Sequence, residues 1–190
     1  MHISEWALPA KNTVNIYSVH KYLWEAFPGI PQEKRPFVFR FDKATQTGYG
    51  KVLMLSSIEP SSTGSTELRL LRSSKFTPSF VNGQRLLFSL RANPVRMLNH
   101  DKNRVPLIRH EDILDWLSRK LEDVAEITYA DIAGRKALYF KKGSRSGKIV
   151  AVDFHGLLSV TNSDRFLEIM LHGVGPAKGF GCGLLLARRA

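Results

Sequence analysis

One cysteine, Cys182, is all that the 190 residues contain, so an internal disulfide and any cysteine-based zinc site are excluded. Long apolar runs are missing too. No stretch approaches the ~18 consecutive apolar residues that a spanning helix needs, and the opening MHISEWALPAK has no basic segment leading into an apolar run, so it does not read as a signal peptide. A reducing cytoplasm, away from any membrane, is the compartment these features predict. Acidic residues are scarce, with 17 Asp and Glu against 28 Lys and Arg, which leaves a formal charge of +11. A surplus of that size favours phosphate polymers and makes nucleic acid the leading class of partner. Metal-site patterns are also absent: His2, His20, His100, His110, His155 and His172 form no HxxxH or HxH pair. Only His110 lies among acids, in HEDILD, and that cluster opens a helix, where acids favour the dipole. A two-metal nuclease requires better-organised carboxylates, so no metal or other cofactor is expected.

Hydrophobic residues make up 43% of the chain, an ordinary globular share that predicts a packed core. The length suits one large domain or two of roughly 90 to 100 residues each. MHISEWALP alternates as a strand does, and NTVNIYSVHKYLWEAF carries Ile16, Val19, Leu23 and Phe27 at helical spacing. FVFRFD and GKVLMLSS follow as strands, SSIEPSSTGSTELRLLRSS reads as a polar loop, and QRLLFSLRANP closes the first half as a strand stopped by Pro94. In the second half VRMLN reads as a strand, and HEDILDWLSRKLE as an amphipathic helix with Ile113, Trp116, Leu117 and Leu121 on one side. ITYADI, ALYFKK and KIVAVDF read as strands, the last two flanking a GSRSG hairpin turn. DRFLEIMLH reads as a helix with Thr161 and Asp164 in capping-box spacing and Gly173 ending it, and LLLA as the last strand. Both halves approximate βαββαβ. The expected fold class is therefore α+β, two tandem ferredoxin-like domains at 1–92 and 93–190.

Glycine, in contrast, is concentrated at one place: HGVGPAKGFGCGLLLARRA carries it at 173, 175, 179, 181 and 183. Five glycines in so short a run give up backbone order, so something must approach that backbone closely or force unusual dihedrals on it. A Walker loop needs Gly-Lys followed by Ser or Thr, and the only lysine here, Lys178, precedes Gly179. A dinucleotide fingerprint follows a strand and opens a helix, whereas this run follows a helix and feeds a strand. Two readings stay open. The amides of Gly175, Gly179 and Gly181 cradle a phosphodiester backbone together with Lys178, or the run is a helix cap with bends before a buried strand.

Five segments, YSVHKYLWEAFPG, FSLRANPVRML, RVPLIRHEDILDWLSRKL, SGKI and GVGPAKGFGCGLL, together resemble the CasE family, the CRISPR-associated endoribonucleases that process guide-RNA precursors for the Cascade complex in antiviral defence. The resemblance runs in order from the first helix to the last strand. It implies two tandem ferredoxin-like domains and metal-independent cleavage of CRISPR repeat RNA at the base of a hairpin, leaving 2′,3′-cyclic phosphate and 5′-hydroxyl ends. It also implies retention of the crRNA hairpin as a Cascade subunit. The partners expected are the repeat hairpin and the other Cascade subunits, with no membrane and a monomeric free protein.

The resemblance places a catalytic histidine in the first helix, at His20, with Tyr17 three residues before it. Helical geometry agrees with an accessible site: about 100° per residue sets His20 beside the stripe of Ile16, Val19 and Leu23, on the flank shared by Tyr17 and Trp24. RNA carries its own nucleophile, the 2′-hydroxyl, so the protein need only align it, move protons and stabilise the phosphorane. An imidazole of reference pKa ~6.5 suits the proton transfers as base or acid, and Tyr17 orients it or the phosphate. Transition-state charge falls to cations. Lys141, Lys142, Arg145 and Lys148 surround the GSRSG turn, and by the resemblance Lys148 contacts the scissile phosphate while Arg145 grips the hairpin. Lys178 adds a backbone contact, and the resemblance implies that the loop NHDKNRVP brings Lys102 and Arg104 to the base of the stem. The rival reading is a non-catalytic RNA-binding scaffold, which explains the charge and gives His20 no chemical role. A single-strand binder of the RRM type is disfavoured, because the Phe37–Phe39–Phe41 alternation lacks the glycine-rich flanks of that signature.

Overall fold

Alternating apolar residues of the first strands build an antiparallel sheet over one helix. The computed structural model describes residues 1–13, 15–42, 48–62, 67–98 and 104–190, without the side chains of residues 12, 13 and 142. Its first half runs β1 (His2–Pro9), α1 (Ile16–Trp24), β2 (Phe37–Asp42), β3 (Tyr49–Ser56) and β4 (Arg69–Lys75). The sheet order is β2-β3-β1-β4, antiparallel throughout. This is ferredoxin-like order, with no helix among the described residues between β3 and β4. Ile16, Val19 and Leu23 of α1 are buried, as their spacing predicts, and they pack with Phe37, Phe39 and Phe41 of β2. Val38, on the alternate face of β2, belongs to a second core shared with the other half. A strand's period of two thus lets FVFRFD serve two cores at once.

The second half runs β5 (Arg85–Ala92), a short ribbon of β6 (Val95–Met97) and β7 (Arg104–Pro106), α2 (His110–Leu121), β8 (Ala125–Lys142), β9 (Arg145–Val160), α3 (Ser163–His172) and β10 (Leu185–Arg189). Its sheet order, β10-β5-β9-β8, repeats the first half's arrangement. Ile113, Trp116, Leu117 and Leu121 of α2 are buried together, as expected.

Several boundaries differ from the sequence reading. QRLLFSLRANP does not close the first sheet; as β5 it is a central strand of the second, paired with both β9 and β10. The strand that closes the first sheet is β4, RLLRSSK, inside the stretch read as a loop. Six of its seven residues are exposed and only Leu70 is partly buried, so an edge strand looks like polar loop in sequence. VRMLN supplies the ribbon and not a sheet strand. ITYADI and ALYFKK form one strand of 18 residues, whose register shifts at Ile127/Tyr129 and Ile132/Gly134 break its periodicity. Helix α3 is capped by Asn162, not Thr161: the Asn162 side chain accepts from the Arg165 N–H at 3.1 Å. Gly173 ends that helix at φ 76°, donating to the Ile169 carbonyl.

The two sheets meet at Arg91, which is only 2% exposed. Its Nε and Nη2 donate to the two carboxylate oxygens of Asp153 on β9 at 2.6 and 3.1 Å. Nη1 donates to the Phe41 carbonyl at 2.6 Å and Nη2 to Asp42 at 3.0 Å, both on β2. Burial by itself lowers the Arg91 pKa and raises that of Asp153, but their bidentate bond and opposite charges outweigh it, so Arg91 is raised and Asp153 lowered. Lys136 adds a second cation at 3.2 Å from Asp153.

Arg91→Met strands a partly buried carboxylate and a backbone carbonyl, and urea unfolding is expected to show a loss of about 3–5 kcal/mol. Because the Asp153 pKa is lower folded than unfolded, its contribution is complete above the ordinary aspartate value of ~3.9 and is lost as pH falls through the folded value. Asp153→Asn is expected to lower the urea midpoint at neutral pH and to flatten its decline in acid.

Candidate active site

Helix α1 begins at Asn15, whose extended backbone and short side chain suit an N-cap: Oδ1 accepts from the Tyr17 N–H at 3.1 Å. The same side chain reaches into the other half. Its Oδ1 also accepts from the Lys141 N–H at 3.1 Å, and its Nδ2 donates to the Lys141 carbonyl at 2.8 Å. The long β8–β9 hairpin is thereby fastened by its tip to the start of the helix that carries His20. Behind the tip, the Phe140 ring packs 4.8 Å from Phe180, and a Cβ at Gly147 would stand 2.7 Å from that ring, so glycine leaves room for it.

His20 is half-buried on the flank of α1. Tyr17 lies 6.0 Å from it between ring centroids and Trp24 meets it edge-on at 6.3 Å, with Phe37 and Phe39 beneath at 5.9 and 6.3 Å. Tyr17 in turn lies 6.1 Å from Phe180. This confirms the flank that helical spacing predicts for His20, Tyr17 and Trp24.

Protein side chains are what approach the glycine run. At Gly175, with φ 74°, a Cβ would stand 2.8 Å from the Trp116 ring. At Gly183, with φ 99°, it would meet the Val174 carbonyl at 3.0 Å and the stem of Lys178 at 3.3 Å. Gly181 is buried against Phe39. These contacts fold the segment into a 3₁₀ turn, Lys178–Phe180, which rests on α1. Gly179 is the glycine that faces the site: a Cβ there would lie 3.7 Å from His20 Nε2 and 3.8 Å from Arg35 Nη1. Cys182, between two of the glycines, is buried, and its thiol is pushed up to about 12 by that burial.

The site is cationic. Burial, then the charge of Arg35, holds Lys178 below the ordinary lysine value, and burial lowers Arg35 as well. Among the described residues no carboxylate acts on either. Sequence reasoning missed Arg35, because QEKRPF looks like any polar surface turn, and it missed Asn15 and Phe180 for want of a pattern. Of the residues it named, His20, Tyr17 and Lys178 come together here.

Lys148 stands exposed on β9 opposite Tyr139, on the strand face alternate to Gly147 and Phe140. Arg145 and Lys141 are exposed at the hairpin tip, while Lys102 and the Lys142 side chain lie outside the described residues. Arg104 is exposed on β7, paired with Met97. Among the described residues no group of three or more His, Cys, Asp or Glu is placed to hold a metal ion, and no helix is long and apolar enough to cross a membrane.

A family model described as CRISPR associated protein matches residues 2–189. The chain is 31% identical to the CRISPR system Cascade subunit CasE of Escherichia coli over 196 residues, covering 97% of this chain and 98% of that one. The chain belongs to the CasE family. The CRISPR-associated endoribonuclease Cse3 of Thermus thermophilus, a second similar protein, is 29% identical over 92% of this chain and 90% of that one. Cas6e from Escherichia coli superposes on this CasE-family chain with a TM-score of 0.86 at 27% identity over 100% of both chains. Thermus thermophilus Cse3, bound to an RNA representing a pre-cleavage complex, also gives 0.86, at 25% identity over 99% of this chain and 100% of that one.

Asn15→Ala removes a helix cap and both ties to Lys141 together. The expected loss in urea unfolding is about 1–2 kcal/mol, with faster proteolysis at the 143–145 turn as the hairpin tip is released.

Proposed function

We propose that this protein is a metal-independent, hairpin-specific endoribonuclease that cleaves CRISPR repeat RNA in the cytoplasm and then keeps the crRNA 3′ hairpin as a Cascade subunit. The observation that carries the reading is His20 beside Tyr17 and across Gly179 from a cationic turn, in a chain that matches CasE along nearly its whole length. One similar protein is named a Cascade subunit, and another is named an endoribonuclease and is solved with RNA.

In this mechanism the 2′-oxygen attacks the adjacent phosphorus. The new O2′–P bond forms as the P–O5′ bond breaks, which leaves a 2′,3′-cyclic phosphate on one fragment and a 5′-hydroxyl on the other. One proton leaves the 2′-hydroxyl and one arrives at the departing O5′; His20 makes one of these transfers, and Tyr17 orients it or the phosphate. Lys178 offsets charge that develops on the phosphorane oxygens. The face of β9 that displays Lys148 and the tip with Arg145, Lys141 and Lys142 hold the RNA strand that passes the site, with Lys148 on the scissile phosphate. Arg104 and Lys102 meet the base of the stem, where A-form RNA offers phosphates, 2′-hydroxyls and shape.

A labelled repeat hairpin incubated in EDTA with wild type and with His20→Ala tests the reading. His20→Ala is expected to bind as wild type does and to cut about 10²- to 10⁴-fold more slowly, with a cyclic phosphate on the wild-type product. Binding by both proteins without cutting by either would leave the non-catalytic scaffold in its place.

A further inference from the structure

We infer that Arg35 binds the scissile phosphate directly, forming with Lys178 a two-cation clamp on the His20 side of the reacting group. This rests on the endoribonuclease reading above and names a residue that reading does not use.

Arg35 follows the 3₁₀ turn Gln32–Lys34 and is separated from β2 by one proline, so its backbone is fixed by the strand that also supplies Phe37 and Phe39 under His20. Its Nη1 lies 3.8 Å and His20 Nε2 3.7 Å from the position a Cβ would take at Gly179, so the two nitrogens are close enough for one phosphate group to contact both.

Charge points the same way. Arg35 and Lys178 are both half-buried and close enough for the charge of Arg35 to disfavour protonated Lys178. Buried cations are ordinarily paired. Arg91, buried between the sheets, has Asp153 and Asp42. Among the described residues Arg35 and Lys178 share no such carboxylate. An anion arriving between them relieves their repulsion, and one that gains charge in the transition state relieves it further. A planar fork also gives two directed hydrogen bonds to phosphate oxygens, which a lysine does not.

The test uses the full chain with Arg35→Met and Arg35→Lys, and two versions of the repeat hairpin besides the natural one. One has a 2′-deoxy sugar at the cut position, for binding alone; the other also carries a neutral methylphosphonate at that linkage. Arg35→Met is expected to lower the single-turnover cleavage rate about 10²- to 10³-fold while binding of the 2′-deoxy hairpin changes less than about fivefold, with Arg35→Lys recovering only part of the rate. The methylphosphonate is expected to weaken binding to wild type more than to Arg35→Met, since the variant no longer senses that charge. Urea unfolding checks the fold; loss of a half-buried cation that no carboxylate among the described residues pairs is expected to leave stability equal or higher.

Cleavage by Arg35→Met at the wild-type rate would overturn the inference while leaving the endoribonuclease reading intact. So would equal methylphosphonate penalties in the two proteins. If wild type binds and does not cut, the endoribonuclease reading falls, and the phosphate contact then stands or falls on the methylphosphonate comparison.

Discussion

Every part of the candidate site is assembled across the junction that Arg91 holds. The helix with His20 and the turn with Arg35 belong to the first sheet, whereas Lys178, Phe180 and the basic hairpin belong to the second. A guanidinium buried between the sheets fixes their relation because its fork has four oxygen contacts to satisfy at once: two on Asp153, one on Asp42 and one on the Phe41 carbonyl. Apolar packing alone tolerates sliding, since it is nondirectional. A buried polar network does not, because any displacement strands a charge. The apolar contact of Phe140 with Phe180 and the amide clasp of Asn15 on Lys141 then refine an alignment already set.

The same physics runs in opposite directions at two places. At Arg91 and Asp153, burial is outweighed by pairing, and both groups keep their charges. At Lys178 and Arg35 burial is not compensated by any described carboxylate, and both cations are held below their usual values. The first arrangement stabilises a fold. The second stores unfavourable field that an incoming anion discharges, the pattern expected where local consistency gives way to function. Aromatic walls from Tyr17, Trp24, Phe37 and Phe39 reduce the water that would screen that field.

How much of this was legible in the sequence depended on whether a residue acts through a period or through a distant contact. The buried stripe of α1, the core face of α2 and the flank shared by His20, Tyr17 and Trp24 follow from 3.6-residue spacing and hold in the structure. The repeated ferredoxin-like order is also visible in the sequence, but β4 is an exposed edge with hardly any apolar face, so the pattern points to β5 as the strand that closes the first half. Bulges hid the unity of β8, since each shift of register moves the hydrophobic residues to the other face. Arg35 and Arg91 carry no local signal. Each is defined by groups brought to it from other elements, Gly179 and Lys178 in one case and Asp153 in the other. The glycine run signals close approach and leaves open what approaches; Trp116, Phe39 and the Lys178 stem lie against most of its length.

The burial of Cys182 ties its reactivity to motion of the glycine segment. It is the chain's single thiol, and it lies between Gly181 and Gly183, in the segment that carries Lys178 past His20. With its ionisation pushed up to about 12, almost no thiolate exists near neutral pH, and the sulfur is closed off from solvent. Alkylation therefore has to wait until the glycine segment lifts away from α1 and Trp116. The rate at which this one sulfur is labelled is thus a native clock for opening of the loop, already in place in the unmodified protein.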